Sequence, residues 1–270
     1  MSMSAAGYCF GMPFLLETAS IEDAIALACR LDLRFVELNS NFPQCQLTLI
    51  DPAWLRAEAA RTDLFFTLHL DDSLNVCDFN LAVRAAYVST VLDAIALAKA
   101  ADIPVINIHL AKGNIVTLPD GKHYIFANFR DAFEEALLAF RQQCEEAIAD
   151  SGVRICVENT DGWEDYERRG IEILLESPVF GLTLDIGHNH AVNDLDLPFF
   201  EAHQDRLCHM HAHDGWAQTN HQAMGSGEIP LHDRLDLARA CKATVVLETK
   251  TVDALEASTA WLKTKPELQP

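Results

Sequence analysis

The sequence predicts an α/β protein built as a closed (β/α)8 barrel, and three observations carry that expectation. Eight short apolar segments alternate with helical patterns from near Tyr8 to near Lys263. Six of them (FTLHL, INIHL, CVEN, LTLDIGH, HMHAH and VVLET) end on or run into His69, His109, Glu158, Asp185 with His188, His211 and Glu248. The chain of 270 residues is also close to the roughly 250 that such barrels use as one unit. Side chains alternate faces along a strand. Glu158 therefore shares a face with Cys156, Asp185 with Thr183, His211 with His209, and Glu248 with Val246. Parallel strands closing into a barrel would bring these strand-end groups to one rim, where barrel enzymes keep their chemistry.

The elements follow in order. A first strand near Tyr8–Gly11 precedes SIEDAIALACRL, where Ser20 caps a helix, Asp23 takes the capping-box position, and Ile21, Ala24, Ile25, Ala28 and Leu31 form an apolar face. The second strand spans 34–38, and Asp51-Pro52 opens the next helix. The third strand spans 65–69; a long helix from Asp78 to Ala101 places Leu81, Val88, Val91 and Ile95 on one face. Strand four is 105–109. After it, residues 111–126 read as two β-like pieces around Pro119-Asp120-Gly121, a hairpin lid too long for an ordinary strand-to-helix loop. A helix presenting Phe129, Phe133, Phe140 and Cys144 stops at Ser151-Gly152. Strands at 154–158, 181–185, 206–213 and 244–248 complete eight, and a last helix covers about 252–263. With no linker or composition break, residues 1–270 read as a single domain. Repeated strand-then-helix order implies parallel pairing, and no GxGxxG follows the first strand to favour an open dinucleotide-binding sheet.

Composition narrows the function. Forty acidic against 20 basic residues give a formal charge of −20. Nucleic acid is therefore an unsuitable partner, because phosphate contacts depend on Lys and Arg. The opening MSMSAAGYCFGM shows neither a basic nor an apolar leader region, and no uninterrupted apolar run approaches the roughly 18 residues of a membrane span. Eight cysteines without a CxxC pair fit a reduced, cytoplasmic protein.

The chemistry concentrates in Glu158, Asp185, His211 and Glu248. Carboxylates plus a neutral imidazole make a mixed oxygen and nitrogen site for one divalent cation such as Mn, Zn, Co or Mg. Such closely clustered carboxylates could not all remain ionised without a cation. Glu37 ends strand two facing the rim, as a substrate contact or a neighbour's hydrogen-bond partner. Lys112, with Lys122 and His123, gives the hairpin positive character suited to an anionic substrate. His190 and His213 read as rim or loop residues by the usual exposure of histidine. GSGE (225–228) before a helix has the form of a phosphate cradle, although short glycine loops are commonly turns.

VENTDGW, LDIGHNH, HMHAHD and LETK together resemble the strand-end motifs of the xylose isomerase-like TIM barrel superfamily. That superfamily includes sugar phosphate isomerases and epimerases, ketose 3-epimerases and apurinic-site endonucleases. The resemblance implies that Glu158, Asp185, His211 and Glu248 hold the metal and that His188 reaches the substrate or another metal. It also implies that His69 and His109 contact substrate or hold a second metal bridged by Glu158. The endonuclease branch adds an Asp-x-His pair for a third metal; here that stretch is Thr219-Asn220-His221, leaving His221 for substrate. Ala217 stands where the epimerase branch often has an arginine.

Three functions are weighed. The foremost is a metal-dependent isomerase or epimerase of a small ketose, keto-polyol or sugar phosphate, working through a metal-stabilised enediolate with Glu158 and Glu248 as base and acid. The alternative is a metal-dependent phosphodiesterase of apurinic-site endonuclease type, opposed by the charge, by Asp71 and Asp72 after His69, and by Thr219. The third is a catalytically silent sugar-binding barrel. A homo-oligomer is compatible with all three.

Overall fold

The computed structural model describes residues 7–268. Residues 1–6, part of the stretch on which the absence of a leader was argued, lie outside them.

Twelve strands occur among the described residues: β1 (Cys9–Pro13), β2 (Phe35–Asn39), β3 (Phe65–His69), β4 (Val105–His109), β5 (Ile115–Leu118), β6 (Gly121–Tyr124), β7 (Arg154–Glu158), β8 (Phe180–Asp185), β9 (Leu207–Ala212), β10 (Asp214–Trp216), β11 (Thr219–Gln222) and β12 (Thr244–Leu247). Eight close into a parallel barrel in the order β1-β12-β9-β8-β7-β4-β3-β2. Each barrel strand is followed by at least one helix. The predicted hairpin is β5–β6, pairing Ile115 with Tyr124 and Leu118 with Gly121. A second hairpin, β10–β11, follows β9 and was not expected from the sequence. Both hairpins rise from the carboxyl ends of barrel strands, the face where barrel sites form.

Alternation explains how these segments make a barrel. Val36, Leu38, Phe66, Leu68, Ile106, Ile108, Ile155, Val157, Leu182, Leu184, Met210, Val245 and Leu247 face the helices in one apolar core. The opposite face carries Glu37, Thr67, His69, Asn107, Glu158, Thr183, Asp185, His209 and His211, all buried. The barrel interior is thus largely polar, and the apolar layer lies outside it.

Helix starts match their caps. Ser20 Oγ accepts from Asp23 N at 3.2 Å, and Asp51 Oδ1 accepts from Ala53 N at 2.9 Å. The long third helix starts at Leu81 rather than Asp78, with Asn80 as its cap. Leu81 is 66% exposed, not on the buried face with Val88, Val91 and Ile95. Phe129 is likewise exposed, at the junction of two helices. By length and composition alone helix Leu81–Ala101 could cross a membrane, but Val88, Val91, Ala94, Ile95 and Leu97 are packed into the core.

Gly11 and Phe35 are register partners on β1 and β2, and the Phe35 ring lies across the glycine. A Cβ at Gly11 would sit 2.5 Å from three ring carbons. Phe35 is fully buried and stacks on Phe65 at 4.9 Å, so the ring has nowhere to move. Gly11→Ala is expected to destabilise the protein by about 1–3 kcal/mol through overpacking. A denaturant titration should show the loss, and Phe35→Leu in the same chain should recover part of it.

Candidate functional site

The carboxyl ends of β7, β8, β9 and β12 bring together Glu158, Asp185, His211 and Glu248. One ligand atom from each lies within 4.8 Å of the others. Register accounts for it: Asp185 pairs with His211, Val246 with His211, and Glu158 with Thr183 one residue pair lower on β8. Glu248 follows the last paired residue of β12 and donates its N–H to Ala212 O at 2.9 Å. Asn159 clamps the neighbouring strand, donating to Asp185 O at 3.0 Å and accepting from Asp185 N at 2.8 Å.

Glu37 corrects the expectation of a rim residue. It lies one layer below, 2% exposed, with Oε1 2.9 Å from His211 Nε2 and Oε2 3.1 Å from His209 Nε2. Thr67 Oγ1 donates to the same Oε2 at 3.1 Å. Glu37 is thus the partner of its neighbours, one of the two roles expected of it, and it orients His211. Both ring nitrogens of His211 face carboxylates, Nε2 that of Glu37 and Nδ1 those of Glu158 and Glu248, so a cation that displaced the Nδ1 proton would leave Nε2–H directed at Glu37.

Nδ1 lies within hydrogen-bond distance of Glu158 Oε1, at 3.0 Å, and 3.2 Å from Glu248 Oε2. A lone pair facing two carboxylates repels them unless a cation or a second proton lies between. Burial opposes charge on His211, yet Glu158, Glu37 and Glu248 outweigh it and hold its pKa well above the ordinary imidazole value. Glu158 and Glu248 are held well below the usual carboxylate range: burial pushes them up, and His211 more than offsets it. Glu248 Oε2 has no hydrogen-bond partner although it is buried. The donor set thus fits a divalent cation, with Glu158, Asp185, Glu248 and His211 Nδ1 as ligands.

A second set adjoins the first. His69 and His109 each place Nε2 3.3 Å from Glu158 Oε2, with their rings 5.1 Å apart. Asn107 Nδ2 donates to the same oxygen. His69 Nδ1–H donates to Leu70 O at 2.7 Å, so its Nε2 also presents a lone pair to a carboxylate. Burial pushes the His69 pKa down, but Glu158 and Glu37 raise it to about 9.

On the other side stand His188, His213 and His221. His213 is not the rim or loop residue expected: it is fully buried, with Nε2 3.1 Å from Asp185 Oδ1. Its Nδ1 accepts from His221 N at 2.8 Å, which places its proton on Nε2, donating to Asp185. Gly187 makes this contact possible, since a Cβ there would sit inside the His213 ring. His188 Nδ1–H donates to Thr160 O and His221 Nδ1–H to Glu248 O, at 3.1 and 3.2 Å, and burial lowers the His221 pKa to about 4, so its Nε2 is unprotonated. His190 lies not in a loop but on the short helix Ile186–Ala191, with Nε2 3.2 Å from Glu228 Oε1.

Two further expectations change. Lys112 Nζ is engaged by Asp161 Oδ1 at 2.8 Å, so its charge is largely neutralised within the protein. The 225–228 loop spends its amides on the chain itself: Gly227 N and Ile229 N donate to the Asp214 carboxylate at 2.8 and 3.1 Å, and Glu228 N to Gly215 O at 2.9 Å. It does not cradle a phosphate. Lys250, overlooked within the LETK motif, holds Glu248 Oε1 at 2.8 Å.

A family model described as a xylose isomerase-like TIM barrel matches residues 25–265. Among solved structures, a D-tagatose 3-epimerase-like protein superimposes with a TM-score of 0.77 at 19% identity, covering 96% of this chain and 97% of that one. A 3-keto-D-glucoside 4-epimerase from E. coli gives 0.73 at 17%, covering 95% and 99%. The IOLI protein, solved with a bound zinc atom, gives 0.72 at 11%, covering 96% and 97%. No curated protein matches the chain.

Two outcomes are expected. Metal binding at His211 Nδ1 must displace the proton held there, so binding at neutral pH should release about one proton per ion. Affinity should then fall about tenfold for each pH unit of acidification below the raised His211 pKa. Calorimetry in buffers of different ionisation enthalpy measures the proton directly, and buffer-independent heats would contradict the assignment. Glu37→Gln should weaken divalent metal binding about 10- to 100-fold while leaving the fold intact. Chelator competition together with circular dichroism separates the two effects.

Proposed function

Because the chain belongs to the xylose isomerase-like TIM barrel family, we infer that it is a divalent-metal-dependent isomerase or epimerase of a small ketose, keto-polyol or sugar phosphate. The observation that carries this reading is the placement of Glu158 and Glu248. They approach His211 Nδ1 from strands separated by β8 and β9, at 3.0 and 3.2 Å. Two ionised carboxylates on opposite sides of one point are what removal and return of a carbon-bound proton require.

The bound cation would polarise the substrate carbonyl as a Lewis acid and acidify the adjoining C–H. Of the two carboxylates, one takes the proton and the other delivers it, on the opposite face for an epimer or to the neighbouring position for an isomer. Asn107, His69 and His109 hold Glu158 Oε2, and Lys250 holds Glu248 Oε1, so each carboxylate is oriented through its outer oxygen. The Nε2 atoms of His188 and His221, whose Nδ1 atoms are engaged by backbone carbonyls, hydrogen-bond sugar hydroxyls. Tyr166 Oη–H donates to Lys112 O at 2.8 Å, anchoring the base of the β5–β6 hairpin, which acts as the lid. The epimerase names of two structural neighbours and the zinc of a third agree with this reading.

The phosphodiesterase alternative draws on one feature, the convergence of His69 and His109 on Glu158, which would accommodate a second metal. The charge of −20 and the threonine at position 219 weigh against a nucleic-acid substrate. All eight cysteines are free thiols, in keeping with a reducing, cytoplasmic setting. A homo-oligomer acting on a small sugar fits these features.

The test is exchange of solvent deuterium into a panel of ketoses by the metal-loaded protein. Wild-type protein should exchange the proton next to the carbonyl. Glu158→Gln and Glu248→Gln should each lower the rate by at least about 100-fold. Metal content is measured in parallel, because each Glu is also a ligand. Variants that retain both metal and wild-type exchange would refute the assigned roles.

A further inference from the structure

The opposite mouth of the barrel carries a second chemically distinctive cluster. Leu182 pairs with Leu207, but the next residue, Thr183, pairs with His209. Cys208 is therefore the extra residue of a β-bulge, a device that re-aims a side chain. Its thiol turns over Gly181 on β8, where the missing side chain leaves room: a Cβ there would lie 2.8 Å from Cys208 Sγ and 3.3 Å from Cys156 Sγ. From β7, Arg154 reaches beneath β8 and places Nη1 3.0 Å from Cys208 Sγ. A cavity of about 650 Å³ opens below, lined by Cys208, Arg154, Cys241, Lys242, Asp102 and Asp205 among apolar neighbours.

We propose that Cys208 is a site of reversible thiol–disulfide exchange with small zwitterionic disulfides that enter this cavity. Arg154 and Lys242 match the carboxylates of such a molecule, and Asp102 and Asp205 match its ammonium groups. In the exchange, Cys208 thiolate attacks one sulfur of the incoming disulfide. A new S–S bond forms to Sγ, the original S–S bond breaks, and the departing half leaves as a thiolate that takes a proton from water. Cys208 is oxidised to the mixed disulfide while the released thiol is the reduced product, so no other oxidant is needed.

The chemistry of the pair favours Cys208 as the attacking sulfur. Arg154 Nη1 donates to Cys208 Sγ at 3.0 Å, where a guanidinium favours the thiolate, while the protonated thiol donates to Arg206 O at 3.2 Å. Cys156 is fully buried and does not line the cavity. Thiolate is the nucleophilic form. β7 and β9 are two strand spacings apart, about 9–10 Å, whereas a disulfide needs Cα atoms within about 7 Å. Cys156 therefore cannot displace the adduct, which persists until an external thiol removes it.

The full-length protein, reduced and freed of thiol, is incubated with oxidised glutathione at about pH 6.5, where an ordinary thiol is about 1% ionised. Peptide mass mapping follows each cysteine, with exposed Cys29 as the internal reference. The Cys208 peptide should gain the adduct about tenfold faster than the Cys29 peptide, the gain in thiolate outweighing the loss in intrinsic nucleophilicity. Dithiothreitol should remove the adduct. Arg154→Met should slow Cys208 labelling several-fold and leave Cys29 unchanged. Faster labelling of Cys29, an unchanged Cys208 rate in Arg154→Met, or a Cys156–Cys208 crosslink without adduct would overturn the proposal. If Arg154→Met does not fold, the wild-type pH profile decides. A Cys208 rate that levels off below about pH 8 supports the proposal, and one that climbs in parallel with Cys29 refutes it.

Discussion

Glu37, Glu158, Asp185 and Glu248 surround or support the single imidazole of His211 inside the barrel, and the neighbouring features answer the cost of burying that much negative charge. Each unpaired carboxylate removed from water costs several kcal/mol. Here none is left alone. Glu37 takes His209, His211 and Thr67; Glu158 takes His69, His109 and Asn107; Asp185 takes His213 and the amide of His188; Glu248 takes Lys250. The imidazole-rich interior follows from that constraint, and so does the fit to a cation that compensates the charge left over.

The rim could be read from the sequence because strand alternation is strict and the ligands sit at strand ends. Glu158, Asp185, His211 and Glu248 occupy positions whose period of two needs no tertiary knowledge. The depth of Glu37 was not readable, since depth depends on the stagger between neighbouring strands, which no single strand encodes. His213 was missed for a related reason. One residue past the end of β9, it leaves the strand's alternation, and its burial follows from contact with Gly187 on the short helix after β8. The hairpin Asp214–Gln222 was hidden because Ala217 and Gln218 form its turn without glycine or proline, and Ala217 adopts a left-handed conformation.

Glycines set the internal clearances. Gly11 admits the Phe35 ring, Gly187 admits His213 against Asp185, and Gly181 admits two sulfurs and leaves a path for Arg154. In each case the absent side chain faces a bulky or polar group from another strand or loop. The barrel interior is therefore specified as much by where side chains are missing as by which ones are present.

The same strands serve both ends of the barrel. On β7, Cys156 lies two residues below Glu158, on the same inward face. On β9, His209 lies two below His211, and the bulge at Cys208 separates that polar stack from the thiol at the opposite mouth. Without the bulge, alternation would turn Cys208 outward toward the helices and bury it among apolar side chains, where a thiol keeps its proton. The extra residue instead brings the sulfur to Arg154 at 3.0 Å while His209 remains 3.1 Å from Glu37. A single insertion in register thus lets one strand orient a carboxylate-bound imidazole at its upper end and present an ionisable sulfur at its lower end, with the His209–Glu37 contact separating the two.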